Sequence, residues 1–223
     1  MSLETVQIAF QYIALVFAIS VHEAAHAWTA NRCGDPTARM LGRVTLNPIK
    51  HIDPIGTVVL PLIAMFGRFG FLIGWGKPTP VDPRHFKNPV WDDIKTSLAG
   101  PASNLLVAAF ATIGLAIISA TSPYGRELVH GRGAMSGSAL VPITLLLYEF
   151  MYINVLLAAF NVIPVPTLDG SHVLRHFLPE GARRIYDMVG MFGLIILFLI
   201  GGPIINFLMA PVLAFFQFVL ARI

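Results

Sequence analysis

Apolar runs long enough to cross a bilayer recur along this chain and limit its folds more than any other feature. A helix needs ~20 apolar residues to span the hydrocarbon core. We read such spans at 5–31, 95–121, 139–163 and 184–221, the last interrupted by Gly201-Gly202-Pro203. Of the 223 residues, 56% are hydrophobic and 12% charged, whereas a soluble domain carries about 25% charged residues. A soluble fold cannot hide that much apolar surface. The expected fold class is therefore an all-α polytopic membrane protein, one integral membrane domain over 1–223. The final run suits two short passes or one broken pass, and both stay open. A formal charge of +3, scattered along the chain, gives no reason to expect nucleic-acid binding. Cys33 is the only cysteine, which excludes an internal disulfide and a cysteine-based metal cluster. The N-terminus lacks a basic n-region and a small-residue cleavage site, so the first helix is expected to remain.

Residues 55–74 are apolar but contain Gly56, Pro61, Gly67, Arg68, Gly70 and Gly74. Gly67-Arg68 reads as a turn between two short arms rather than the middle of a membrane helix. Topology supports this. If 55–74 crossed once, the loop after residue 163 would lie on the opposite face from the end of the first helix. If 55–74 is re-entrant, that loop returns to the same face. The basic residues agree: Arg32, Arg39, Arg43, Lys50, Lys77, Arg84, Lys87, Lys95, Arg175, Arg183 and Arg184 then share one side, the cytoplasmic side by the positive-inside tendency. The segment Leu41-Gly-Arg-Val-Thr-Leu46 alternates like a short strand. Phe69-Gly-Phe-Leu-Ile73 could pair with it as a hairpin near 41–74 whose free edge could hold an extended peptide.

Inside the first apolar run lies His22-Glu23-Ala24-Ala25-His26. Ionisable groups within a membrane segment are costly and point to function. Residues i and i+4 of a helix share a face, with Cβ atoms about 6 Å apart, so two imidazoles can grip one ion. Glu23, next to the first histidine, stands where a general base for a metal-activated water belongs. A catalytic zinc usually has three protein ligands and an open position. Candidates for the third lie in Asn161-Val-Ile-Pro-Val-Pro-Thr-Leu-Asp169-Gly170, where Pro164 and Pro166 end the helix and Gly170 permits a bend. Asp169 can face inward there or cap the next helix, and His172 can compete as a ligand or stand behind one.

Together these pieces resemble the zinc site-2 protease family of intramembrane metalloproteases. The resemblance rests on His22 through His26, on Gly100-Pro-Ala-Ser-Asn104 opening a membrane helix, and on Asn161 through Gly170. Asn47 through Gly56 and Gly74 through Pro80 look like the small prokaryotic branch without added regulatory domains. The resemblance implies that His22, His26 and Asp169 hold one zinc ion and that Glu23 is the catalytic base. It also implies a three-helix catalytic core, here 5–31, 95–121 and 139–163.

Other polar groups have weaker claims. Asn161 and Asn104 could contact a substrate carbonyl or the oxyanion, or satisfy helix backbones. Asn104 and Asn154 sit within apolar helices, where interhelical hydrogen bonding is the commoner use. His51 and Asp53 form a fallback pair in a proline-bounded turn, and His85, His130 and His176 are expected to be solvated. The function expected is zinc-dependent hydrolysis of peptide bonds in or beside a transmembrane segment of a membrane-protein substrate. The substrate helix must first unwind, because its backbone groups are mutually satisfied. The site would lie near the cytoplasmic face of a prokaryotic cell membrane. A membrane metal transporter or a non-proteolytic zinc-binding membrane protein is the alternative.

Overall fold

The computed structural model describes residues 3–67, 74–131 and 137–222. Among them the helices run in order α1 (Leu3–Cys33), α2 (Thr37–Met40), α3 (Leu60–Phe66), α4 (Pro89–Thr121), α5 (Pro123–Val129), α6 (Leu140–Val162), α7 (Asp169–Phe177) and α8 (Glu180–Ala221). Among the described residues, four segments are long and apolar enough to cross a membrane: Thr5–Cys33, Pro89–Thr121, Leu140–Val162 and Gly202–Ala221. This is an all-α polytopic membrane protein.

Three helices form the centre. Ala14 and Ala18 of α1 are fully buried, and with Leu15 and Ile19 they pack against Ile153 of α6. Small residues allow such close helix approach where no hydrophobic drive separates lipid from protein. A second cluster joins α4, α6 and α8 through Ala108, Leu115, Val155, Met209 and Phe216. Leu106, Phe110, Ile113 and Ile117 are exposed along α4. Their spacing of four, three and four residues makes one apolar stripe, a face suited to lipid.

Helix ends follow local chemistry. Pro89 occupies the first turn of α4, where its missing N–H costs nothing. The Asp92 carboxylate then accepts the Asn88 backbone N–H at 2.8 Å. This lets α4 begin at residue 89, one and a half turns before the apolar span expected from 95, so Asp92, Asp93 and Lys95 are helical.

Two expectations are corrected. Leu41–Leu46 forms turns and bends, and no strand occurs among the described residues. Arg43 turns inward instead of continuing a pleat, and it is 5% exposed. The partner proposed for that strand, 69–73, lies outside the described residues. The break expected at Gly201-Gly202-Pro203 is also absent, since α8 is helical throughout Glu180–Ala221 with Pro203 and Pro211 inside it. An interior proline removes one backbone hydrogen bond, and an apolar surrounding penalises losing any more.

The segment 55–74 begins and ends in one place. The Trp75 N–H donates to the Gly56 carbonyl at 3.3 Å, and the Lys77 N–H to that of His51 at 2.8 Å. The Thr57 hydroxyl donates to the Trp75 carbonyl at 2.7 Å. The C-terminal end of α1 and the N-terminal end of α4 also meet, because His26 bonds the Thr96 carbonyl. The connection between these helices therefore returns to the level from which it started.

Candidate active site

The last turns of α1 carry His22 and His26, which are 6% and 8% exposed. Their rings stand edge to face, with centroids 4.6 Å apart. In each ring Nδ1 is engaged. That of His26 lies 2.7 Å from the Thr96 carbonyl oxygen, which can only accept, so this nitrogen carries the proton. That of His22 lies 2.6 Å from Asn104 Oδ1. The Asn104 amide is oriented by its own bonds, since Nδ2 donates to the Ala18 carbonyl at 3.1 Å and to Asn154 Oδ1 at 2.8 Å. Asn154 is oriented in turn by donating to the Phe150 carbonyl at 2.8 Å. A neutral imidazole protonated at Nδ1 leaves a lone pair on Nε2. Both Nε2 atoms are thus prepared as ligands, as hydrogen bonds to the far nitrogen do in metal sites.

They converge on Asp169, the first residue of α7. Nε2 of His22 is 3.0 Å from Asp169 Oδ2, and Nε2 of His26 is 3.4 Å from Oδ1. Oδ2 is buried, yet it makes no hydrogen bond of acceptable angle. All three donor atoms lie within 4.8 Å of one another, the only such set among the described residues.

Gly100 of α4 faces this cluster. A Cβ there would lie 2.6 Å from Nε2 and Cε1 of His22 and closer still to Nε2 of His26. The missing side chain keeps open the volume in front of both lone pairs. Two neutral imidazoles, one carboxylate and a reserved space form a donor set suited to zinc.

The approach to Asp169 is strained. Thr167 adopts φ +88°, a left-handed conformation rare for a β-branched residue and costing roughly 1–3 kcal/mol. Val165 N–H donates to Ile163 O at 2.8 Å and Leu168 N–H to Val165 O at 3.0 Å, which holds the loop in that shape. Gly170 serves close approach rather than a bend: a Cβ there would lie 2.8 Å from the Ile163 carbonyl oxygen and would collide with that of Val162.

Glu23 faces the 74–80 segment. The Thr79 hydroxyl lies 2.6 Å from Glu23 Oε2 and 3.0 Å from the Glu23 carbonyl oxygen. The Arg43 guanidinium lies 3.9 Å from Oε2 and donates to the Lys77 carbonyl. A Cβ on Gly76 would lie 2.5 Å from Ile19 and 3.5 Å from Glu23 Cγ, so the segment lies directly on α1. Sequence reading missed both Arg43, counted only as a loop charge, and Thr79. The signals available were an arginine inside an apolar alternation and the Gly74–Pro80 stretch.

Asn104 is fully buried and its amide is engaged by His22, Ala18 and Asn154. The substrate contact considered for it gives way to orientation of His22. Asn161 donates to the Leu157 carbonyl at 3.0 Å, the helix-satisfying alternative. His172 turns to Asp93 rather than to the cluster, at 3.6 Å, and that carboxylate raises its pKa above the usual imidazole value. His176, expected to be solvated, is 2.7 Å from the same Asp93 oxygen. His51 bonds the Thr45 carbonyl at 2.8 Å while Asp53 caps the turn at Ile55 and Gly56, so these two form no site.

The amide chain behind His22 can be tested. Asn104→Ala removes the acceptor for its Nδ1–H and frees the other tautomer. Zinc affinity, measured by competition with a chromophoric chelator, is expected to fall about 10–100-fold, the usual effect of losing such a partner. Unchanged affinity would show that Asn104 only packs helices.

The profile of Peptidase family M50 matches residues 10–200. A Bacillus subtilis protein with the provisional designation zinc metalloprotease YwhC is 35% identical over 202 residues, covering 90% of this chain and 84% of that protein. The Mycolicibacterium smegmatis protein provisionally named zinc metalloprotease Rip2 is 30% identical over 193 residues, covering 86% of this chain and 66% of its own length. Its Mycobacterium tuberculosis namesake is 29% identical over 170 residues, covering 75% and 57%. No solved structure gives a significant match. The metal-type cluster at the end of a membrane-helix core, and a family match over most of the length, lead to one conclusion: the chain belongs to peptidase family M50, the site-2 protease family.

Proposed function

We propose that the protein is a zinc-dependent intramembrane endopeptidase, cutting peptide bonds in or next to transmembrane segments of membrane-protein substrates in regulated intramembrane proteolysis. The observation that carries this reading is the convergence of His22, His26 and Asp169 beside Glu23 at one end of apolar helices. These three residues would hold one catalytic zinc per chain, and Gly100 leaves it room. When bound, zinc supplies a Lewis acid that activates water and polarises the scissile carbonyl. Glu23 takes the proton of the attacking water and delivers it to the leaving nitrogen. Thr79 and Arg43 both approach Oε2, which fixes the carboxylate while the proton moves. The substrate is a membrane helix that can unwind, because a closed helix shields its carbonyls. The site opens toward the cytoplasmic face of a prokaryotic cell membrane, in line with the basic loops.

The test is a purified, liposome-reconstituted protein with a single-span reporter substrate. Cleavage is expected to stop on chelation with 1,10-phenanthroline and to return with added zinc, while a soluble unfolded peptide is cut poorly. Zinc flux into the liposomes without cleavage would instead establish the transporter alternative. Zinc retention with neither flux nor cleavage would establish a binding protein.

A further inference from the structure

Helix α7 carries its own pair of histidines at i, i+4 spacing, His172 and His176. Asp93 faces them from the first turns of α4. Its Oδ2 lies 2.7 Å from His176 Nε2 and 3.6 Å from His172 Nδ1. In the site already described the separations are 3.0 and 3.4 Å, there to the two different oxygens of Asp169. Ligand atoms about 2.0–2.1 Å from a tetrahedral zinc sit roughly 3.3 Å apart, and each pair of distances brackets that value. The chemistry is also repeated: two imidazoles one turn apart on one helix, and one carboxylate from another. Side-chain exposure runs from 14% at Asp93 through 24% at His176 to 56% at His172, so an ion could enter from water. The three donor atoms are more widely spread than in the first set, since only that set lies within 4.8 Å among the described residues. The most exposed member, His172, is the one that must turn to close the second.

We propose that Asp93, His172 and His176 form a second divalent-cation site of zinc type, which fastens α7 to α4. Its place gives it a consequence. Asp169 opens α7, three residues before His172, and α4 also supplies Thr96, Gly100 and Asn104 to the first site. A cation joining the two helices therefore holds the Asp169 carboxylate in register with His22 and His26. A nine-residue helix such as α7 is too short to be stable alone, so such a fastening has an effect to exert. The metal load of the second site does not depend on the proteolytic reading.

The test is equilibrium titration of the chelator-stripped, detergent-purified chain with zinc alone, together with cobalt(II) absorption as a report on the ligand set. The parent is expected to take up two equivalents. The double variant His22→Ala/His26→Ala should retain one, the double variant His172→Ala/His176→Ala should retain the other, and the two cobalt spectra should differ. Asp93→Asn keeps a hydrogen-bond acceptor for His176 but is a poorer ligand. It should lose the second equivalent while its melting temperature in the metal-free form stays that of the parent. A parent that binds a single equivalent overturns the proposal, leaving Asp93 as a hydrogen-bonded clasp. So does a folded His22→Ala/His26→Ala protein that binds none.

Discussion

Glu23→Gln is expected to leave the zinc content unchanged and to slow cleavage of a membrane-spanning substrate by roughly 10²–10⁴-fold, the usual contribution of a positioned general base. The substitution is nearly isosteric. A glutamine oxygen can still accept from the Thr79 hydroxyl that lies 2.6 Å from the present carboxylate, so the side chain should keep its place. It loses only the capacity to take a proton. None of the three grouped ligands is altered, because Glu23 is not one of them. Zinc content by atomic emission and single-turnover cleavage in liposomes, measured on the same preparation, separate the two roles. Parental cleavage by the variant would remove Glu23 from the mechanism. Loss of zinc would make it a ligand instead.

Gly100→Ala is expected to abolish zinc binding at the His22–His26–Asp169 cluster with little change in the fold. The added methyl group would sit 2.6 Å from His22 Nε2 and nearer to that of His26, inside the volume the ion needs. The effect should be at least as large as the roughly 10–100-fold that follows loss of a partner behind the ligands. α4 should tolerate the change, since alanine is the better helix former by about 1 kcal/mol. Helix content by circular dichroism should therefore be preserved while the zinc equivalent held by His22, His26 and Asp169 is lost. A variant that kept the parent's full zinc content would place that ion away from the His22–His26–Asp169 cluster.

The chain announces some of this site and hides the rest. His22, Glu23 and His26 form a local pattern of five residues, and helix geometry alone puts both rings on one side. Asp169 was visible as a candidate because prolines stop α6 just before it, although nothing local ranked it above His172. The structure separates them: Asp169 opens α7 and points to the rings, whereas His172 points to Asp93. The strained Thr167 that sets this direction has no sequence signal, since threonine rarely takes positive φ. Arg43 and Thr79 escaped for a similar reason. Each reaches Glu23 only because the connection between α1 and α4 folds back on α1, a contact spanning 56 residues in the case of Thr79.

Periodicity, length and composition were sufficient for the membrane helices, because burial in lipid demands apolar residues over a fixed distance. They misjudged the elements governed by single hydrogen bonds. α4 starts earlier than its apolar run because Asp92 caps it, and α8 continues through its glycine-proline step because an apolar setting favours keeping the remaining bonds. Residue order alone was enough for the membrane class and for the pairing of His22 with His26 on one helix face. The partner behind each ring, the space left by Gly100 and the meeting of Asp169 with both rings came only from the folded arrangement. Those properties depend on which groups from distant helices meet at bonding distance, and packing alone establishes that.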